Sequence, residues 1–348
     1  MAISKVAVIV LNYNGMQFLE KCFDSLMNTV YPEVQLIMYD NNSSDESVSF
    51  VKNKYPHVKI VRSFINGGYS RAYNEAIQHT DAPYAVFLNN DVEVDPNWIG
   101  PLVDAVESDE KVAALQPKLL WLLDKKRFEY AGSAGGEMDI YGFPFLRGRL
   151  FSTIEFDNGQ YDTEKEIFWA SGAALFIRTD VFRLCEGLDE TFVHHMEEID
   201  MCWRIHLLGY KIKVIPESIV YHFGGATIVS DSFKKMYWNH RNSMFMLIKN
   251  LGPQNFSRIL FRHYLFDVMA VSQSVVSLKF KRGIAIFYAY LWLIINLPLI
   301  LKKRVEVQKL RIVNDATIFS KLFPKSVVYQ YFIKKRTTYN ELVKAVQK

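Results

Sequence analysis

Cysteine is nearly absent from this chain. Cys22, Cys185 and Cys202 make an odd set, and no two stand in CxxC spacing. That excludes a disulfide framework and a thiolate zinc site, and it fits a reducing compartment. No GxGxxG run follows a strand, so a dinucleotide-binding dehydrogenase is not expected. No basic segment with a following cleavage site precedes the first apolar run, so a signal peptide is not expected. Acid is scarce at one end. From 233 to 348 there are 21 Lys and Arg against 4 Asp and Glu, a net of +17, whereas the preceding 232 residues hold 20 against 33, a net of −13. The net charge of +4 hides this split. Opposite signs suggest two regions with two tasks, and a basic, aromatic tail suggests a membrane surface or a polyanion as its partner; an anionic membrane surface, and no nucleic acid, is the expectation taken forward.

What is present is a core. Half of the 348 residues are hydrophobic, enough for one large domain with an appendage or for two. The first part alternates strand and helix. Lys5–Leu11, Val34–Tyr39, Val58–Val61 and Tyr84–Leu88 read as strands, separated by amphipathic stretches such as Phe18, Leu19, Cys22, Phe23 and Leu26. A βαβαβαβ run implies a mostly parallel sheet with right-handed crossovers. Ser43 and Glu46 have capping-box spacing, which predicts a helix start there. Trp121 to Glu166 mixes glycine, aromatics and charge and reads as loops lining a pocket. A strand is expected over 167–177, a helix over Glu197–Leu208, and short strands at Lys211–Ile215 and Ser218–Tyr221.

The most informative run is Tyr84-Ala85-Val86-Phe87-Leu88-Asn89-Asn90-Asp91. Four consecutive apolar residues read as a strand buried on both faces. Its carboxyl end is where open α/β sheets place ligands. A carboxylate beside two amides there suits Mg²⁺ or Mn²⁺ carrying a diphosphate; the competing role is a turn cap before Asp95-Pro96. Asp40, at another strand end, can accept the imide N–H of a pyrimidine base or cap a helix. Gly67 and Gly68 permit close backbone approach to a ligand, or make a plain turn. Glu197, Glu198 and Asp200 open a helix, where acids are favoured by the dipole and where a carboxylate can also serve as general base.

In order, Val8–Asn14, Asp40–Asp45, Asn66-Gly67-Gly68 with Asn74, Leu88–Asp91, Trp169–Ala173, Glu197–Arg204 and Tyr221–Gly225 together resemble the family 2 glycosyltransferases of the GT-A fold, most of all their rhamnosyltransferase-like branch. The likeness covers about residues 4–250. It implies a GT-A nucleotide-diphospho-sugar transferase domain over 1–232; the change of charge and composition beyond Ser232 sets off a helical, membrane-associating extension over 233–348. The resemblance implies an inverting transfer from a pyrimidine nucleoside-diphosphate sugar, dTDP-rhamnose or a UDP-sugar, to a glycan or polyprenyl-diphosphate-linked acceptor in cell-surface polysaccharide synthesis. Donor contacts fall on Asn12, Tyr13, Asn14, Asp40, Asn42, Gly67, Gly68, Asn74, Asn89, Asn90, Gly172 and Arg204. The metal, Mn²⁺ or Mg²⁺, falls on Asp91 with His222. The base falls on Glu198 before Asp200 and Glu197. Two departures stand out: Asn89 occupies the first acidic position of the DxD-like motif, and Glu198 stands where the family usually has Asp.

Two other readings are a sugar-phosphate nucleotidyltransferase, which lacks its Gly-rich basic loop here, and a non-catalytic membrane adaptor. Ile284–Leu301 is eighteen residues without a charge, flanked by Lys281-Arg282 and Lys302-Lys303-Arg304. That is at the lower limit for a span. A single span, a re-entrant hairpin, an interfacial helix and a buried helix all fit it, and the expected location is peripheral, on the cytoplasmic face of the membrane.

Overall fold

The computed structural model of the protein describes residues 3–224 and 232–347, so Gly225 of the last motif lies outside the described residues. The first half builds as its apolar pattern dictates. Strand β1 (Val6–Asn12) leads to helix α1 (Met16–Met27), β2 (Val34–Asp40), α2 (Ser47–Lys54), β3 (Lys59–Arg62), α3 (Gly68–Ala76), β4 (Tyr84–Asn89), β5 (Val92–Val94) and α4 (Gly100–Ser108). Strands β3, β2, β1 and β4 are parallel neighbours. Side chains alternate along them. Ala7, Ile9, Ile37 and Phe87 face a cluster with Tyr73 of α3. Val8, Val10, Met38 and Val86 face a second cluster with Leu19, Phe23, Val51 and Leu102 of α1, α2 and α4. The sheet is thus buried on both faces, which is why β4 carries no alternating polar residues.

Beyond β4 the sheet becomes mixed. Strands β6 (Val112–Trp121) and β14 (Lys211–His222) are parallel to each other, but β13 (Ala174–Arg178) runs antiparallel between β4 and β6. The strand expected over 167–177 is broken. Only β12 (Lys165–Glu166) and β13 are strands, and Gly172 lies in the break. A Cβ at Gly172 would sit 2.5 Å from the Tyr69 hydroxyl, so the chain passes Tyr69 only as glycine. The two short strands expected over 211–221 are one long strand, β14, with a register shift against β6 between Ile215 and Ile219, where Pro216 lies.

The segment 121–166 is not a set of loops. It contains β7 (Asp124–Phe128) and a small antiparallel sheet of β8 (Gly136–Met138), β9 (Pro144–Leu146), β10 (Arg149–Leu150) and β11 (Thr153–Ile154). These short strands bury Phe128, Phe145, Leu150 and Tyr161 against Val327, Tyr339 and Leu342 near the C-terminus. Their partners lie about 200 residues away in sequence, so no local pattern reveals them.

Helices α5 (Thr179–Leu184) and α6 (Glu197–Leu207) precede β14. The rest is helical: α7 (Phe233–Asn250), α8 (Phe256–Val276), α9 (Phe280–Ile295), α10 (Leu297–Leu310), α11 (Asp315–Phe319), α12 (Val327–Phe332) and α13 (Tyr339–Gln347). The hydrophobic core runs continuously across residue 232. Phe245, Leu247, Leu293, Ile300 and Val307 pack in the same cluster as Trp203, Ile205 and Phe87. Part of the basic tail is structural. Arg304 donates to the carbonyls of Ile248 and Leu251, Arg311 to that of Asn250 and Gln308 to that of Lys249. These side chains satisfy the open carbonyls at the end of α7.

Candidate active site

The carboxyl ends of β1, β2 and β4 converge. At their centre is Asn12, fully buried. Its amide nitrogen donates to Asp40 (3.2 Å) and Ser43 (3.1 Å), and its oxygen accepts from Asn90 (2.8 Å). A Cβ at Gly15 would lie 1.9 Å from the Asn90 amide nitrogen and 2.6 Å from the Asn12 amide oxygen, so it would displace the Asn12–Asn90 hydrogen bond. Asn14, at φ 48°, accepts at its side-chain oxygen from the Ser44 backbone N–H (2.8 Å). Ser43 is therefore spent on Asn12 and Asn14 and is no helix cap; α2 begins at Ser47, whose N–H is met by Asp45.

Asp40 is fully buried. It accepts from Asn12 and from the Ser43 backbone N–H (3.1 Å), and Arg62 pairs with it at 3.3 Å. Two of about four acceptor positions of a carboxylate are thereby taken by hydrogen bonds, with the Arg62 charge beside them. Tyr13 is 51% exposed on the same rim, and Asn42 is exposed at φ 68°. Gly67 and Gly68 enter α3 through a net of amides: Gly67 N–H to Asn41 (3.0 Å) and Asn41 to Asn66 (2.9 Å).

Asp91 follows β4 and meets His222 at the end of β14, with 3.1 Å between Oδ1 and Nε2. Asn89 approaches the same nitrogen at 3.4 Å. On the other side of the ring, Nδ1 lies 3.3 Å from Glu129, a carboxylate only 1% exposed. Neither that nitrogen nor that oxygen has a well-formed hydrogen bond. Burial opposes charge on His222, yet Glu129 and Asp91 hold the imidazole up at about 10. Burial likewise opposes the ionised Asp91, but His222 keeps its carboxyl below the ordinary value. A positive ring is thus held between two carboxylates. Glu129 was not foreseen; it lies in a segment read as loop, and a single acid between Phe128 and Tyr130 carries no motif.

These residues fit a divalent cation that takes the place of the ring proton: Asp91 would offer a hard oxygen and His222, once neutral, a nitrogen, a pairing that suits Mn²⁺. Among the described residues no three His, Cys, Asp or Glu form a complete metal site, so the remaining ligands would be phosphate oxygens.

The second half of the site is α6. Burial pushes Glu198 up to about 7. Burial, then the charge of Glu198, pushes Glu197 well above the usual carboxyl range. Glu197 is the more deeply buried, so it holds its proton while Glu198 ionises. One oxygen of each carboxylate is buried without a hydrogen-bond partner. The two halves are joined through Gly172 and Ala173. The Asn89 N–H donates to the Ala173 carbonyl (3.0 Å), and Tyr69, whose hydroxyl feels both glutamates, donates to the Gly172 carbonyl (2.8 Å).

Three expected residues have other tasks. Asp200 is fully buried and accepts from Arg204 (3.0 Å), Lys249 (3.0 Å) and Asn250 (2.8 Å), so it is an anchor and not a base. Arg204 is 3% exposed and also donates to the carbonyls of Cys185 and Gly187, so it is not placed for phosphate. Asn74 exchanges hydrogen bonds with the Leu188 backbone and holds the 188–190 turn. A cavity of about 320 Å³ lined by Asn74, Asp189, Arg204, Lys249 and Lys303 lies around this network, away from the strand ends. Against the pull of burial, Lys249 holds the Asp189 carboxyl far below its usual range. Lys249→Met would leave the Asp189 carboxylate with the Thr191 N–H (2.9 Å) and the more distant Lys303 charge at 3.7 Å. The expected loss is about 3–5 kcal/mol of stability by denaturant titration.

The turn before α6 is strained. His195 and Met196 both have left-handed backbones, φ 69° and 74°, a cost of about 1–3 kcal/mol each for non-glycine residues. Asn242 of α7 holds it by donating to both the His194 and His195 carbonyls at 2.8 Å. Asn242→Ala should therefore lower kcat several-fold or more with little change in donor affinity, which steady-state kinetics and calorimetry can separate.

The glycosyl transferase family 2 model matches residues 7–175. Over 256 residues the chain is 25% identical to N-acetylglucosaminyl-diphospho-decaprenol L-rhamnosyltransferase of Mycobacterium tuberculosis, covering 69% of this chain and 83% of that one. Over 266 residues it is 22% identical to rhamnosyltransferase WbbL of Escherichia coli, covering 73% and 97%. Among solved structures, mannosyltransferase PcManGT from Pyrobaculum calidifontis, in complex with GDP-Man and Mn²⁺, superposes with a TM-score of 0.51 at 15% identity, covering 96% of this chain and 88% of that one. S. aureus TarS 1–349 in complex with UDP gives 0.52 at 16%, covering 75% and 70%. The structures speak for a GT-A-like fold alone. The family model covers just under half of the chain, and together with the ordered motifs at the rim of this sheet the matches support a family 2 glycosyltransferase, rhamnosyltransferase-like.

Proposed function

We propose that the protein catalyses a metal-dependent, inverting transfer of a sugar, rhamnose from dTDP-rhamnose first among donors, to a hydroxyl of a lipid-linked glycan. The observation that carries this reading is the pairing of Asp91–His222 with the raised Glu197–Glu198 pair, joined through Gly172 and Ala173. The rhamnosyl donor and lipid-linked acceptor are supported by the decaprenol-linked relative.

The half-exposed Tyr13 stacks on the base. Asp40 accepts the imide N–H with an uncommitted position once Arg62, whose side chain is 54% exposed, moves aside. A divalent cation held by Asp91 and His222 would neutralise the leaving diphosphate. Glu198 takes the proton from the acceptor hydroxyl as its oxygen forms the new bond to the anomeric carbon. The bond to the diphosphate breaks on the opposite face, so the configuration inverts. Glu197, uncharged, leaves Glu198 the only negative group of the pair.

Incubating the protein with dTDP-, UDP- and GDP-sugars in Mn²⁺ or Mg²⁺ tests this. One donor should be hydrolysed slowly without acceptor, and faster transfer should follow with a lipid-linked glycan. Turnover of none, with acceptor present, would defeat the proposal.

A further inference from the structure

The helical tail leaves large apolar side chains uncovered. Along α8, Phe261, Tyr264, Leu265, Val268 and Met269 are exposed, a spacing that forms one stripe. Along α9, Ile284, Phe287, Tyr288, Leu291, Ile294 and Ile295 form another; Phe287, Ile294 and Ile295 are 64%, 71% and 68% exposed. The opposite face of α9, with Ala285, Ile286, Ala289 and Leu293, is buried. Scattered exposed leucines need no explanation, but stripes on adjacent helices do. Arg258, Arg262, Arg282, Lys302 and Lys309 are exposed on α8, α9 and α10, and Lys279 is exposed between α8 and α9. The neighbouring charge therefore selects an anionic occupant.

We infer that α8, α9 and the start of α10 form a docking surface for an anionic lipid bilayer, lying in its interface without crossing it. Helix α9 has 16 residues, about 24 Å at 1.5 Å per residue, short of a hydrocarbon core of about 30 Å. No helix among the described residues is long and apolar enough to cross alone, and α9 meets α10 at 74°. Both α9 and α8 also have one face committed to protein. A half-buried, half-apolar helix beside basic residues is the form of an interfacial anchor.

The anchor is one layer from the acids. Trp292 of α9 lies 4.5 Å under the Arg241 guanidinium and 5.9 Å from Phe245, both of α7. Arg241 donates to the Thr191 carbonyl (2.8 Å), and its neighbour Asn242 holds His194 and His195. Glu197 and Glu198 follow directly. A lipid surface against α9 is thus tied through α7 to the strained turn that presents the acids. That this surface also carries the acceptor rests on the transfer reading above; the docking itself rests on α8–α10 alone.

Co-sedimentation of the full chain with vesicles of phosphatidylcholine and phosphatidylglycerol tests it, with pure phosphatidylcholine as the second arm. The protein should pellet with the anionic vesicles and be released in high salt. F287E/I294E should weaken partitioning about tenfold or more and leave hydrolysis of the donor in solution unchanged. K279E/K302E, which leaves the apolar face intact, should remove the preference for phosphatidylglycerol. Equal recovery in the supernatant with and without vesicles overturns the proposal. So does a dimer by ultracentrifugation that F287E/I294E dissociates, which makes a second copy the occupant. Retention in the membrane after an alkaline carbonate wash overturns the interfacial mode in favour of a span.

Discussion

Glu198→Gln should lower kcat about 10²–10⁴-fold, the usual contribution of a positioned general base, while dTDP or UDP still binds. The substitution keeps volume and hydrogen-bonding shape, so α6 should fold as before. Its neighbours separate chemistry from structure. Glu197 is uncharged in the resting site, and glutamine resembles a neutral glutamate, so Glu197→Gln should cost far less. Asp200→Asn should act on stability, because Asp200 balances the buried Arg204 and Lys249. The pH profile is the second reading. With Glu198 held at about 7, the base form grows as pH rises, so kcat should climb through pH 7 and level off above it. Glu198→Gln should flatten that limb. The sign for folding is opposite. A carboxyl raised in the native state binds more protons there than in the unfolded chain, so its burial costs stability as pH rises from its ordinary range, near 4.5, through about 7. Denaturant titrations of wild type and Glu198→Gln at pH 5 and pH 8 should show the variant gaining most at pH 8.

The parallel half of the sheet was legible because β1, β2 and β4 are short, apolar and followed by polar amides, and each packs against a helix adjacent in sequence. The strand-end residues Asn12, Asp40 and Asp91 converge as expected for the same reason. Legibility ended where partners are distant. Strand β13 enters between β4 and β6 against the parallel direction, and nothing in Ala174–Arg178 encodes orientation. The small sheet over 136–154 is stabilised by Val327, Tyr339 and Leu342, which no window around it contains. Within α6 the resemblance puts Glu198 first, but spacing cannot separate Glu197 from Asp200, which stand three apart on one helical face. Packing ranks them. Lys249 and Asn250, some fifty residues later, take Asp200 out of the reaction. The basic tail was read by net charge, yet Lys249, Arg304 and Arg311 are consumed inside the fold. Arg258, Arg262, Arg282, Lys302 and Lys309 on α8–α10 face outward, as do Lys234, Lys334 and Lys335.

Asp91→Asn should remove metal-dependent donor turnover, by about 10³-fold or more. The estimate follows from the chemistry of the site. Asp91 is the only carboxylate among Asn89-Asn90-Asp91, and an amide oxygen is a much weaker partner for Mg²⁺ or Mn²⁺. No third protein group stands ready to replace it among the described residues. The Asn variant also leaves His222 facing Glu129 alone, so the ring should stay in place and the fold intact. Calorimetry with Mn²⁺ and dTDP or UDP separates a lost ligand from a lost fold: nucleotide affinity should cease to depend on the metal, while the thermal transition shifts little. Glu129→Gln completes the comparison. Its carboxylate stands 3.3 Å from His222 Nδ1, across the ring from Asp91, and orients the imidazole from behind. Such outer partners usually change metal affinity about 10–100-fold, so Glu129→Gln should raise the Mn²⁺ concentration needed for half-maximal activity and nucleotide binding alike, yet approach wild-type kcat at saturation. If Asp91→Asn kept full Mn²⁺-stimulated turnover, the cation would have to bind elsewhere, and the Asp91–His222–Glu129 line would be a structural ion pair only.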